Sequence, residues 1–170
     1  MYKILYVPDP KLRQSSEKLK KITLKDIEIS KKMTEIMLKA PGVGLAANQI
    51  GILKQIITIN ISDENNKIKK MYTLFNPKII YYSEKKIMME EGCLCLPQQY
   101  ADIERPEEIV VQYLNENNKK LEEKKVGYEA RVLQHEIDHL HGKLFVDYLS
   151  SLKRNKLMKR VQKLKKIGEI

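Results

Sequence analysis

The chain has 170 residues, 42% of them hydrophobic and 32% charged, enough for one sizeable core and one domain. No apolar run approaches the ~20 residues of a bilayer-crossing helix, and Met1 to Pro8 lacks the apolar stretch of a secretory signal, so a cytoplasmic protein is expected. The net charge of +10 suggests a polyanion partner, but eight basic side chains against Glu169 place +7 of it in residues 151–170 and leave the remainder nearly neutral.

Thr23 offers an N-cap with Asp26 three positions on, and Ile27, Met33, Ile36 and Met37 follow at helical spacing, which predicts an N-terminal helix ended by Pro41-Gly42. From Lys54 to about Val126 the character is β-rich, with strands predicted over Gln55–Ile61, Met71–Phe75, Lys78–Tyr82, Lys86–Glu90, Ile109–Leu114 and Lys120–Val126. Polar turns at Asp63–Asn66 and Asn115–Asn118 make antiparallel hairpins the expected pairing. A helix over Glu129–His141 follows, with Val132, Leu133, Ile137 and Leu140 as its apolar set and Gly142 at C′. A last helix, Ser151–Ile167, sets Leu157, Met158, Val161 and Leu164 on one stripe and lysines elsewhere. The fold class is α+β: antiparallel β-sheets around a central helix, with an N-terminal and a C-terminal helix. Residues 1–150 form the expected catalytic unit, and 151–170 a basic amphipathic helix of the same domain.

Soft and borderline metal ligands are concentrated at two points. Both cysteines lie in Cys93-Leu94-Cys95, too close in sequence to staple distant parts of a fold, so a reducing compartment is expected. All three histidines lie between His135 and His141. His135-Glu136-Ile137-Asp138-His139 is an HExxH motif on the predicted helix: both imidazoles project from one side, and Glu136 is placed to accept a proton from metal-bound water. A catalytic site of this kind needs a third protein ligand. The pattern HExxHxxGxxH fits through Gly142 but puts Phe145 at its last histidine, and the one downstream glutamate, Glu169, is almost at the terminus, so the third ligand is sought upstream, where Cys93 or Cys95 offers a thiolate and many carboxylates offer oxygen. Gly92 lets the backbone approach a ligand beside Cys93, and Pro97 is expected to end regular pairing. Gly42–Gln49 is a segment of small residues ending in an amide donor; it lacks the lysine of a phosphate-binding loop.

Together these segments resemble peptide deformylase, whose motifs GxGxAAxQ, EGCxS and HExDH stand here as Gly42–Gln49, Glu91–Cys95 and His135–His139, in the same order. The resemblance extends through Phe145–Leu149. It implies that Cys93, His135 and His139 bind one divalent ion, Fe(II) natively with Zn, Ni or Co able to substitute, and that the fourth place holds water. It further implies hydrolysis of the N-formyl group of the initiating methionine of nascent peptides. Glu136 is then the base, Gln49 and the Leu94 backbone N–H donate to the formyl oxygen, Val43 and Gly44 pair with substrate backbone, and Val132 lines the methionine pocket. Tyr100 stands where some relatives carry a substrate-touching arginine, so backbone binding is expected to differ there. Cys95 replaces the usual serine and adds a second thiol beside the metal ligand: it is either inert, the favoured reading because a ring joining residues two apart is strained, or it forms a disulfide or mixed species with Cys93 on oxidation and ejects the metal. Asn48, where many members have proline, is expected to be harmless.

His141 lies about 200° round the helix from His139 and is left out of the site. Asp138 either orients a neighbour or is a solvated helix position. The basic C-terminal helix either packs by its stripe with solvated lysines or, as in some bacterial members of the family, docks on the ribosome; neither membrane nor DNA is expected as a partner. The rival readings are a metallopeptidase cutting internal bonds and an RNA-binding module with a structural metal.

Overall fold

The computed structural model describes residues 2–62 and 69–170, so the predicted turn at Asp63–Asn66 lies outside the described residues. Helix α1 spans Leu24–Lys39 and starts at a capping box in which the Thr23 and Asp26 side chains each accept the other's backbone N–H. Strand β1 (Gly44–Ala46) follows, then a 3-10 turn (Ala47–Ile50), β2 (Ile56–Ser62), β3 (Lys69–Tyr82), β4 (Lys86–Cys93), β5 (Leu96–Pro106), β6 (Glu108–Leu114) and β7 (Lys120–Val126). Helix α2 covers Gly127–Leu140, a 3-10 turn Phe145–Tyr148, and helix α3 Ser151–Lys166. The expected α+β layout is observed, and α2 carries the HExxH residues.

All pairing between strands is antiparallel. Five strands form one sheet in the order β1-β2-β3-β6-β7, and β4 and β5 form a separate hairpin. Two expectations are corrected. Met71–Phe75 and Lys78–Tyr82 are parts of one strand, β3; the Asn76-Pro77 step is a bulge, with a register shift between Phe75 and Lys78 and Asn76 at φ 51°. Pro97 does not end pairing: Cys93 closes β4, Leu94-Cys95 turn the chain, and β5 runs from Leu96 to Pro106, with the irregularity taken up between Gly92 and Cys93.

Ile57, Ile59, Leu74, Ile109 and Val111 present one apolar face of the large sheet, and Ala130, Leu133, Ile137 and Leu140 of α2 pack on it. Helix α1 closes the other side of β1 and β2 with Met33 and Met37 against Leu45, Ile56 and Phe75. A further cluster joins Leu96 and Ile103 of the hairpin to Phe145 and to Leu157 and Val161 of α3. The ends of α2 are tied down by polar groups. Glu129 in its first turn accepts from Tyr72 Oη (2.6 Å), Lys125 Nζ (2.9 Å) and Lys70 Nζ (3.1 Å), while Asn48 Nδ2 donates to the carbonyl of His139. Gly142 takes the left-handed C′ conformation at φ 70°. With one face held on the sheet, the opposite face of α2 is turned to the β4–β5 hairpin.

Candidate metal centre

On that face His135 and His139, one turn apart, bring their Nε2 atoms to 3.2 Å. Cys93, the last residue of β4, sets its Sγ 3.2 Å from His139 Nε2. The three ligand atoms all lie within 4.8 Å of one another, forty-odd residues of chain having been folded to bring the thiol to the helix. Burial, with the Cys95 thiol beside it, pushes the Cys93 thiol up to about 12, so a bound cation is what would stabilise the thiolate there. Burial also holds the His139 imidazole below its usual value, leaving a neutral ring. A thiol whose ionised form a cation would stabilise, beside imidazole nitrogens, fits a divalent metal of the Fe, Co, Ni or Zn kind.

The ligands are oriented from behind. Glu91 Oε2 lies 2.9 Å from His135 Nδ1, which leaves Nε2 on the side of the thiol; burial favours the neutral ring, but the hydrogen bonds with Cys93 and Glu91 outweigh it and raise the imidazole above its usual value, so binding an ion there would displace a proton. Glu91 in turn receives Arg105 Nε (2.5 Å) and Nη2 (3.0 Å) and Arg131 Nη1 (2.7 Å). Burial opposes ionisation of Glu91, but the hydrogen bonds from His135 and Arg105 outweigh it and hold its carboxyl at about 2. Arg105 continues outward to Asp138 Oδ2 (2.8 Å) and Tyr148 Oη (3.1 Å), and Tyr148 Oη donates to Asp138 (2.8 Å). Asp138 is thus an orienting group rather than a merely solvated helix position.

A cavity of about 520 Å³ opens over the thiol. Cys93, His135 and Glu136 line it together with Val43, Gly44, Gln49, Leu94, Tyr100 and Val132, so nine of the ten residues singled out from sequence meet at one cleft. The tenth, His139, is buried behind Cys93. Tyr100 stands at the rim, 61% exposed, its ring over Gly92. Gln49 is fixed at both ends of its amide: Oε1 accepts from Ala46 N–H (2.7 Å) and Nε2 donates to Cys93 Sγ (3.4 Å). Gly44 makes room for Glu136, since a Cβ there would sit 2.5 Å from Glu136 Oε1. Burial pushes the Glu136 carboxyl up to about 7, poised to take or give a proton near neutrality. His141, beyond the helix, is exposed and outside the cleft.

Sequence reasoning missed the Glu91–Arg105–Arg131 group and Tyr128, which also lines the cleft. One signal was available: Arg131 is one turn before His135, hence on the face that carries the ligand.

The family model for polypeptide deformylase matches residues 1–155. The chain belongs to the polypeptide deformylase family. Its similarity to known peptide deformylases is nearly end to end. The enzyme of Rhizobium meliloti (strain 1021) is 40% identical over 163 residues, 96% of this chain and 93% of that one. That of Rickettsia typhi (strain ATCC VR-144 / Wilmington) is 41% identical over 169 residues, 97% of each. The crystal structure of peptide deformylase from Ehrlichia chaffeensis superposes with a TM-score of 0.94 at 38% identity, covering 100% of this chain and 99% of that one. The same Ehrlichia enzyme in complex with actinonin gives a TM-score of 0.91.

Proposed function

We propose that this chain removes the N-formyl group from the N-terminal formylmethionine of newly made polypeptides in the cytoplasm, releasing formate. The observation that carries the reading is the convergence of Cys93, His135 and His139 within 4.8 Å beside the buried carboxyl of Glu136, in a chain of this family. Cys93, His135 and His139 would hold one divalent ion. We assign Fe(II) as the native metal on the family resemblance, with Zn, Ni or Co as substitutes, since thiolate with two imidazoles suits all four. When bound, the ion supplies Lewis-acid polarisation and acidifies a water.

The remaining chemistry belongs to the chain's own groups. Glu136 takes a proton from the attacking water and returns it to the departing amine, a shuttle suited to a carboxyl whose pKa lies at about 7. Charge develops on the formyl oxygen, and Gln49 Nε2 and the Leu94 backbone N–H donate to it. The Gln49 amide is already oriented by Ala46 N–H, so little reorganisation is needed. Strand β1 is an edge strand of the large sheet, and Val43 and Gly44 pair there with the extended substrate backbone. Val132 walls the methionine side chain, and Tyr100 at the rim meets the next residues.

Residues 1–150 form the catalytic unit, and α3 belongs to the same domain through Leu157 and Val161. Its outer face carries Lys156, Lys159 and Lys163, all exposed, and docks on ribosomal RNA. Replacing these three lysines by glutamate should weaken ribosome binding and steepen nothing in the cleavage of a short formyl peptide; unchanged binding defeats the docking assignment.

The deciding experiment is formate release from formyl-Met peptides by anaerobically purified protein, with metal analysis. Cleavage of unformylated peptides at internal bonds would favour the metallopeptidase, and a bound metal without turnover the RNA-binding module.

A further inference from the structure

The mechanism leaves Cys95 unused, yet its Sγ lies 3.0 Å from Cys93 Sγ, closer than His139 Nε2 at 3.2 Å. The β4–β5 turn creates this contact: Leu94 and Cys95 reverse the chain while Cys93 pairs with Leu96, and Val7 N–H pins the Cys95 carbonyl at 3.1 Å. The two sulfurs need to approach by only about 1 Å to bond. They differ in access. Cys93 lines the open cleft, whereas Cys95 is fully buried among Val7, Leu96, Ile103 and Phe145. A small oxidant therefore meets Cys93 first and Cys95 only through it.

We propose that Cys95 is a resolving thiol for Cys93, capturing the oxidised metal-site cysteine as a reversible Cys93–Cys95 disulfide. The oxidant is a peroxide. The Cys93 thiolate attacks one peroxide oxygen, the O–O bond breaks, and sulfenic acid and hydroxide result. Cys95 sulfur then attacks the Cys93 sulfur, the S–O bond breaks, and the Cys95 proton leaves with that oxygen as water. Two electrons pass from the thiol pair to hydrogen peroxide, and a dithiol reductant returns them. Without Cys95, the sulfenic acid stays open to further peroxide and moves to the sulfinic and sulfonic acids, which such a reductant does not reverse. The disulfide takes the thiolate away from His135 and His139, so oxidation releases the ion but spares the ligand. That consequence rests on the metal assignment above; without an ion the same sulfur steps run through the small ionised fraction of the Cys93 thiol, more slowly but to the same products.

The test treats the metal-loaded full chain with hydrogen peroxide and follows intact mass, metal content and recovery with dithiothreitol. Wild type should lose about 2 Da and its metal together, and reduction should restore both thiols and the capacity to bind ferrous ion. Cys95→Ser, which carries the family's usual residue, and Cys95→Ala should instead gain about 32 or 48 Da and fail to recover. A wild-type chain that gains oxygen as the variants do, or variants that recover as fully as wild type, overturns the proposal. A chain that never held metal defeats the metal assignment alone, and the mass ladder still decides the role of Cys95.

Discussion

The two faces of α2 show how differently one helix can be specified. Towards the sheet it presents Ala130, Leu133, Ile137 and Leu140, where fit requires only apolar bulk at helical spacing. Towards the hairpin it presents Arg131, His135, Glu136 and His139, all buried; Arg131 and His135 meet Glu91 and His139 meets Cys93, while Glu136 lines the cleft with its Oε2 lacking a hydrogen-bond partner among the described residues. Burying a charge or an imidazole without its partner costs several kcal/mol, so the polar face is tolerable only because Glu91, Arg105 and Cys93 arrive in register. Stability is spread over many replaceable contacts on the first face, and function is concentrated in few irreplaceable ones on the second.

Adjacent residues offer the sharpest contrast. Glu136→Ala should lower formate release by about 10²–10⁴-fold while metal content stays near wild type. Full activity in this variant would end the proposed proton shuttle. Ile137→Val, one position on but facing the sheet, should cost about 0.5–1.5 kcal/mol in denaturant unfolding and leave kcat/KM within a few-fold of wild type. If Ile137→Val were as damaging to turnover as Glu136→Ala, the separation of the two faces would fail.

Glu91→Gln probes how the polar face is held. It removes the charge that two buried guanidiniums and the His135 ring share. A stability loss of about 3–5 kcal/mol is expected by chemical denaturation, with metal affinity weakened about 10–100-fold. Equal metal affinity in a folded variant would show that the ring is oriented without Glu91.

Gly44→Ala tests the cleft from the sheet side. The new Cβ would lie 2.5 Å from Glu136 Oε1, so the carboxyl must shift. A displacement of that order should cost about 10²-fold in kcat/KM, with a much smaller change in melting temperature.

The legibility of the chain follows the same division. Apolar periodicity made α1, α2 and α3 readable, and Thr23 with Asp26 marked the start of α1 within a residue. Strand β5 was invisible for the reason that makes it useful: its inward positions include Gln99 and Arg105 beside Ile103, so no alternation of apolar residues announces it. Asn76-Pro77 read as a break because a bulge inside a continuous strand uses the residues of a turn. In the site, HExxH spacing revealed two ligands by local geometry alone. Cys93 came from the family's motifs, and the pairing of Glu91 with Arg105 and Arg131 depends on hairpin register and helix docking, which no local pattern encodes.

The smallest effect expected lies farthest from the cleft, at the α1 capping box. Burial opposes ionisation of Asp26, but Lys54 Nζ at 2.5 Å and the Thr23 hydroxyl and N–H outweigh it and hold the carboxyl below its usual range. A carboxyl whose folded value is depressed contributes stability that is present above the unfolded value and is lost as pH falls through the folded one. Asp26→Asn should therefore cost about 1 kcal/mol at neutral pH, in line with loss of a helix cap, and the gap to wild type should close in acid as Asp26 itself becomes protonated. Thermal unfolding from pH 7 down to pH 3 measures this directly. Formate release at neutral pH should not change, because the box faces away from the polar side of α2; a large loss of turnover would mean that α1 and the cleft are coupled more tightly than the two-face picture allows.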